Sequence, residues 1–236
     1  MSENVHESGA IDVVPRVPRP NIEAVVFDFD GTLADTSEAV VTTVEQTLAQ
    51  LLVASPARTA ISALIGLPLV ETFRTASVAE ASLDEAVRIY RSRFFDNADR
   101  IALFAQVASA LQAIAAAGLP MAIASSRGRV SLLRLLTRLG IEELFCAVLG
   151  EEDAVRKKPA PDLVLAIAER LDIEPGALLV VGDTDYDIEM GRAAGAHTCA
   201  VTHGCHDAER LRAARPTWIV DSFEAVQALV VRHSAA

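Results

Sequence analysis

Six short runs of almost wholly apolar residues punctuate the chain, at Ala24 to Phe29, Met121 to Ala124, Phe145 to Leu149, Leu178 to Val181, His197 to Val201 and Thr217 to Val220. A strand that is apolar at every position is covered on both faces, and the usual cover is a helix on each side of a parallel sheet. The stretches between most of these runs have the matching period. Val130, Leu133, Leu136 and Leu139 keep helical spacing up to Gly140, and Leu163, Val164, Ile167 and Leu171 do so after Pro161-Asp162, which reads as a capped start. The expected fold is α/β, a doubly wound parallel sheet.

One stretch departs from the alternation. From Asp35 to Leu103 the pattern is helical only, beginning with Val40, Val41, Val44, Leu48 and Leu51, so a small α-helical cap is expected as an insert after the first strand. The expected division is a flexible leader over residues 1–20, a core over 21–34 and 104–236, and a cap over 35–103. With 51% hydrophobic residues in 236, the chain can bury a core of that size. Ile101 to Ser126 carries no charge and is long enough to span a bilayer, but Gln106, Gln112 and the break at Gly118-Leu119-Pro120 favour helix, turn and buried strand.

Charge narrows the partners. A formal net charge of -11 argues against nucleic acid and against anionic membranes, leaving a small molecule or a protein, with the chain as a monomer or homodimer. Cys146, Cys199 and Cys205 form no CxxC pair, and the polar, proline-rich N-terminus lacks the pattern of a signal peptide. A cytoplasmic location is expected.

In an open parallel sheet, ligands sit beyond the carboxyl ends of the strands. The residues found there are Asp28 and Asp30, then Ser125-Ser126, then Lys157-Lys158, then Gly182-Asp183-Thr184 with Asp187. So many carboxylates require a counter-charge, and an all-oxygen donor set favours a hard cation such as magnesium over zinc. A hydroxyl and a lysine facing that cation would suit the oxygens of a phosphoryl group. Lysine usage points the same way: 157 and 158 are the only lysines, against 19 arginines. A chain so biased toward arginine that keeps lysine here calls for a compact point charge. Gly31 would let the chain turn sharply and bring backbone N–H groups near the phosphate. Thr202-His203-Gly204-Cys205-His206 fits no common zinc spacing, and Trp218 and Phe223 read as core residues.

DFDGT, SSR after an apolar run, KPAP and GDTDYD, in that order, resemble the four motifs of the haloacid dehalogenase superfamily, over a span from about Ile22 to the C-terminus. The insert resembles the small helical cap of phosphoglycolate phosphatase-like members, with Ile65-Gly66-Leu67-Pro68-Leu69 similar to a segment common in such caps. The resemblance implies a Rossmann-like core and a Mg2+-dependent phosphatase. Asp28 would be the nucleophile that becomes an aspartyl phosphate, and Asp30 the general acid and then base. Asp28, the Asp30 backbone carbonyl, Asp183 and Asp187 would serve the metal; Ser125, Lys158 and Gly31 would serve the phosphate. The second motif departs from the family in having Ser126 and Arg127 where asparagine and lysine are frequent, which makes Arg127 a substrate candidate.

The expected activity is hydrolysis of a small phosphomonoester, with phosphoglycolate first and sugar, biosynthetic or nucleoside phosphates close behind. Arg58, Arg74, Arg88 and Arg91 are candidates to meet a substrate carboxylate. The absence of lysine from 35–103 disfavours phosphonate hydrolysis through a Schiff base, and the presence of Asp30 disfavours dehalogenation. A sugar-phosphate mutase and a catalytically silent sensor of a phosphorylated metabolite are the alternatives.

Overall fold

The computed structural model describes residues 21–234; the leader expected over 1–20 lies outside them. The strands are β1 (Ala24–Phe27), β2 (Ala34–Asp35), β3 (Ala102–Leu103), β4 (Met121–Ala124), β5 (Ala147–Leu149), β6 (Leu178–Gly182), β7 (His197–Val201) and β8 (Trp218–Val220). The helices are α1 (Ser37–Gln50), α2 (Arg58–Ser62), α3 (Leu69–Thr75), α4 (Leu83–Arg93), α5 (Val107–Ala116), α6 (Arg129–Leu139), α7 (Asp162–Leu171), α8 (Asp185–Ala194), α9 (Ala208–Ala213) and α10 (Phe223–His233).

Six strands form one parallel sheet in the order β5-β4-β1-β6-β7-β8. Its two faces are separate apolar layers, as the period of two along a strand requires. Val25 and Phe27 of β1 point into the larger layer with Leu111, Ile114 and Val226, whereas Ala24 and Val26 point to Leu163, Val164 and Ile167 of α7. Burying each valine, leucine, isoleucine or phenylalanine among them is worth about 1.5–3 kcal/mol. β1, central in the sheet, has every residue buried and ends directly before Asp28.

The uncharged stretch from Ile101 is a ribbon strand, the ten-residue α5, a turn and β4. Among the described residues no helix is long and apolar enough to cross a membrane. Two expectations change in detail. On α6 the buried side chains are Leu132, Leu135 and Leu136, with Val130 exposed, because a helix packs its i, i+3, i+4 stripe and a strict spacing of three drifts around it. The Asp162 carboxylate does not cap α7; it accepts from the Arg156 backbone N–H at 3.1 Å and from its guanidinium.

The stretch from 35 to 103 is helical, as its period suggests, except at its ends. There β2 and β3 pair antiparallel, Ala34 with Leu103 and Asp35 with Ala102, two residues each and too short to leave a sequence pattern. The ribbon brings the chain back beside Asp30, so α1 to α4 stand over the carboxyl end of β1. The apolar interior of this helical segment, including Val44, Phe73 and Phe94, is continuous with the larger layer of the sheet.

Candidate active site

Asp28 and Asp30 occupy the turn that leaves β1. The Asp28 backbone N–H donates to the Val181 carbonyl of β6 at 2.9 Å, extending the sheet by one residue and fixing where its carboxylate begins. Gly31 follows at φ 82°, and a Cβ there would collide with the Asp183 carboxylate. Gly31 is thus required both by the turn and by the approach of a second strand end.

Lys158 reaches across from the loop before α7. Its Nζ donates to Asp28 Oδ1 at 2.9 Å and to Asp187 Oδ1 at 2.6 Å, with all three side chains buried. Burial pulls its pKa down, but Asp187 and Asp28 outweigh it and hold the ammonium above the ordinary lysine value. Its neighbour Lys157 turns away and donates to the carbonyls of Glu151 and Ala154. Asp187 is set by the start of α8, where its Oδ2 accepts from Thr184 N–H at 3.1 Å and Thr184 Oγ1 at 2.6 Å.

Asp183 closes the cluster. Its Oδ1 accepts from Thr32 Oγ1 at 2.6 Å and its Oδ2 from the Cys205 N–H at 2.7 Å, while Gly204 packs where any Cβ would strike it. Burial pushes the Asp28 carboxyl up to about 8, with repulsion from Asp187, Asp183 and Asp30 adding to it against Lys158. Burial and Asp187 push Asp183 up to about 7 despite its two donors. Oxygens of Asp28, Asp183 and Asp187 lie within 4.8 Å of one another. Three buried carboxylates against one ammonium leave two negative charges uncompensated, and the donors are all oxygen; both facts fit a hard divalent cation.

Asp30 has a different environment. Arg127 grips it with Nε to Oδ2 at 2.9 Å and Nη2 to Oδ1 at 2.6 Å, and Thr36 Oγ1 donates to Oδ1 at 2.6 Å. The guanidinium lies over the Phe94 ring, 4.2 Å from its centroid, and its Nη1 donates to Ser131. Burial works against this cation, but Asp30 more than offsets it and keeps its pKa above the ordinary arginine value. Ser125 follows β4, buried, its Oγ accepting from the Arg127 N–H at 3.2 Å.

Part of this cluster opens into a cavity of about 390 Å3. Asp28, Asp30, Ser125, Ser126 and Arg127 form its floor, and Ile61, Leu64, Ile65, Leu69, Tyr90 and Phe94 of the helical segment stand over it. Of the arginines singled out from sequence, Arg127 and Arg91 line this cavity, Arg91 at the rim and paired with Glu151. Arg74 does not: it is exposed and paired with Glu71 and Glu80. Arg58 pairs with Glu38 and Glu45, and Arg88 with Glu85, both away from the cavity lining.

Several residues of the site escape a reading of motifs. Thr32 orients Asp183 and Thr36 orients Asp30, roles the spacing of DFDGT only hints at. His203 and His206 belong to the loop whose spacing fits no common zinc pattern, and it serves as a brace. His203 Nε2 lies 3.0 Å from the Thr32 carbonyl, and the Asp185 N–H donates to His206 Nδ1. Ser126 Oγ is buried with no hydrogen-bond partner among the described residues.

Comparison with known proteins places the chain among related sequences and structures. The family model for haloacid dehalogenase-like hydrolases matches residues 25–201. The chain is 34% identical over 208 residues to the probable phosphatase IndB of Dickeya dadantii, covering 86% of this chain and 90% of that protein. It is 30% identical over 239 residues to a phosphoglycolate phosphatase of Salmonella typhi, covering 91% and 95%. A solved haloacid dehalogenase-like family protein from Streptococcus pneumoniae superposes with a TM-score of 0.80 at 27% identity, covering 88% of this chain and 97% of that one.

Proposed function

The chain belongs to the haloacid dehalogenase-like hydrolases, and from that membership we propose that it is a magnesium-dependent phosphatase acting on small phosphomonoesters through an aspartyl phosphate on Asp28. The observation that carries this reading is the pairing of a buried, lysine-bridged Asp28 with Asp30 on one turn at the floor of a cavity that the helical segment overhangs.

In the first step an Asp28 carboxylate oxygen bonds to phosphorus as the ester P–O bond breaks, and the departing alkoxide takes a proton from Asp30. In the second, water adds to phosphorus while Asp30 takes its proton, the bond to Asp28 breaks, and inorganic phosphate leaves with Asp28 again ionised and Asp30 again protonated. Arg127 and Thr36 fix where the Asp30 carboxylate points, which such proton transfers require. Ser125 Oγ and Lys158 Nζ supply donors for phosphoryl oxygens, and the backbone turn at Gly31 keeps that space free of side chains. Magnesium held by Asp28, Asp183, Asp187 and the Asp30 backbone carbonyl would neutralise charge on the phosphoryl oxygens. The helices over 35–103 act as the cap that excludes bulk water.

Phosphoglycolate, the substrate in the name of the Salmonella relative, is the reference substrate, and the cytoplasm the expected compartment. The deciding experiment measures phosphate release from a panel of monoesters with magnesium or with chelator, comparing the native protein with Asp28→Asn. Release that needs the metal and vanishes in the variant supports the reading. Equal, negligible release from both across the panel would favour a mutase or a sensor.

A further inference from the structure

We propose that the substrate of this phosphatase site is an ester of an alcohol with a ring-sized apolar body, larger and less polar than glycolate; the inference rests on the phosphatase reading above. A phosphoglycolate site has to give the two-carbon leaving group a cation for its carboxylate, because a carboxylate without a partner inside an apolar chamber is strongly disfavoured. Among the described residues, no cation lining the cavity is both buried and uncommitted. Arg127, the one arginine buried at the floor, is committed: Nε and Nη2 go to Asp30, Nη1 goes to Ser131, and one face is covered by Phe94. Pulling it away would leave Asp30 without the pair that orients it. Arg58, Arg74 and Arg88 are paired outside the cavity. Arg91 is held at the rim by Glu151, and Arg134, the other lining arginine, is exposed and stacked on Phe95 with its guanidinium 3.7 Å from the ring centroid.

The chamber itself has the opposite character. Ile61, Leu64, Ile65, Leu69 and Phe94 face it, and its volume of about 390 Å3 leaves room well beyond two carbons. Sites for drug-sized ligands begin at roughly 300 Å3 and are built mostly from apolar and aromatic side chains. A glycolate moiety would fill only part of this space and leave most of its apolar wall uncovered. A ring would displace poorly solvated water and fill contacts already in place.

The test compares kcat/KM for benzyl phosphate and phosphoglycolate with the full chain and magnesium. Both esters release an alkoxide rather than a phenolate, so their ratio reads the fit of the leaving group and not its acidity. Benzyl phosphate is expected to be favoured by on the order of 100-fold, the discrimination available from a few well-packed carbons. Leu64→Trp, which narrows the chamber from a half-buried position, is expected to shrink that ratio by about tenfold. Magnesium-dependent release in which phosphoglycolate equals or exceeds benzyl phosphate overturns the substrate inference and leaves the phosphatase reading standing. Absence of metal-dependent release from every ester overturns both.

Discussion

Arg127 and Asp30 meet through two parallel hydrogen bonds, Nε to Oδ2 at 2.9 Å and Nη2 to Oδ1 at 2.6 Å, with the arginine side chain only 7% exposed. The pair joins the loop after β4 to the turn after β1, and the fork geometry fixes the plane of the carboxylate as well as its position. Lysine at 127 would keep the charge but contact one oxygen only. Arg127→Lys is therefore expected to lower kcat by at least ~10-fold while KM changes less, since the loss falls on the proton transfer. Steady-state kinetics on any accepted ester checks this. A raised KM with kcat intact would instead place Arg127 on the substrate.

Lys158 has a comparable position between Asp28 and Asp187, but among the described residues it is the only cation within the carboxylate cluster. Removing it leaves buried negative charge without its partner. Lys158→Met, close in length, is expected to cost about 3–5 kcal/mol of stability in chelator. Urea unfolding in chelator and in magnesium separates the two contributions: the deficit should shrink when the divalent cation is present. An equal deficit in both would mean that the methionine merely packs badly.

The carboxylates predict a pH dependence of a definite sign. Burial raises Asp28 from 3.8 to about 8 and Asp183 from 3.8 to about 7, so the folded, metal-free protein binds more protons than the unfolded chain between these values. Their contribution to stability is complete below pH 3.8 and is lost as pH rises through about 7 to 8. In chelator, the melting temperature should fall between pH 5 and pH 8 by at least ~3 °C more than in the Asp183→Asn variant, whose position 183 cannot titrate. A divalent cation such as magnesium would bind the ionised carboxylates, so it should stabilise more at pH 8 than at pH 5. Calorimetric scans in chelator and magnesium test both signs; a metal effect larger at pH 5 would sink the cation assignment.

Much of this arrangement is legible from sequence because burial and chemistry coincide at the strand ends. An apolar run such as Ala24 to Phe27 announces a central strand, and a carboxylate placed directly after it has few bland explanations. The isolated Lys157-Lys158 pair is equally telling, although only the structure separates the inward Lys158 from the outward Lys157. The arginines of the helical segment are another matter. Arg74 and Arg58 are drawn off by acidic neighbours three to twenty positions away, pairings that depend on helix faces and on the packing of α1 against α2. The braces Thr32, Thr36 and His206 are hidden for the same reason, since their partners are fixed by how loops meet and no period marks them.

Ser126 provides the sharpest test of the floor of the cavity. Its Oγ is buried without a hydrogen-bond partner among the described residues, beside Ser125 and Arg127, which both have partners. A hydroxyl held in that state costs stability, so Ser126→Ala should be neutral or stabilising, by up to about 1 kcal/mol. A bound ester changes the sign of the argument, because a polar atom of the substrate near the phosphoryl group can then satisfy the hydroxyl. The same variant is expected to lose roughly 5- to 10-fold in kcat/KM, the worth of one neutral hydrogen bond. Thermal unfolding and kinetics on one preparation give both numbers. A variant that is more stable and equally active would show that the hydroxyl has no part in binding, whereas lost stability would point to a partner within the protein itself.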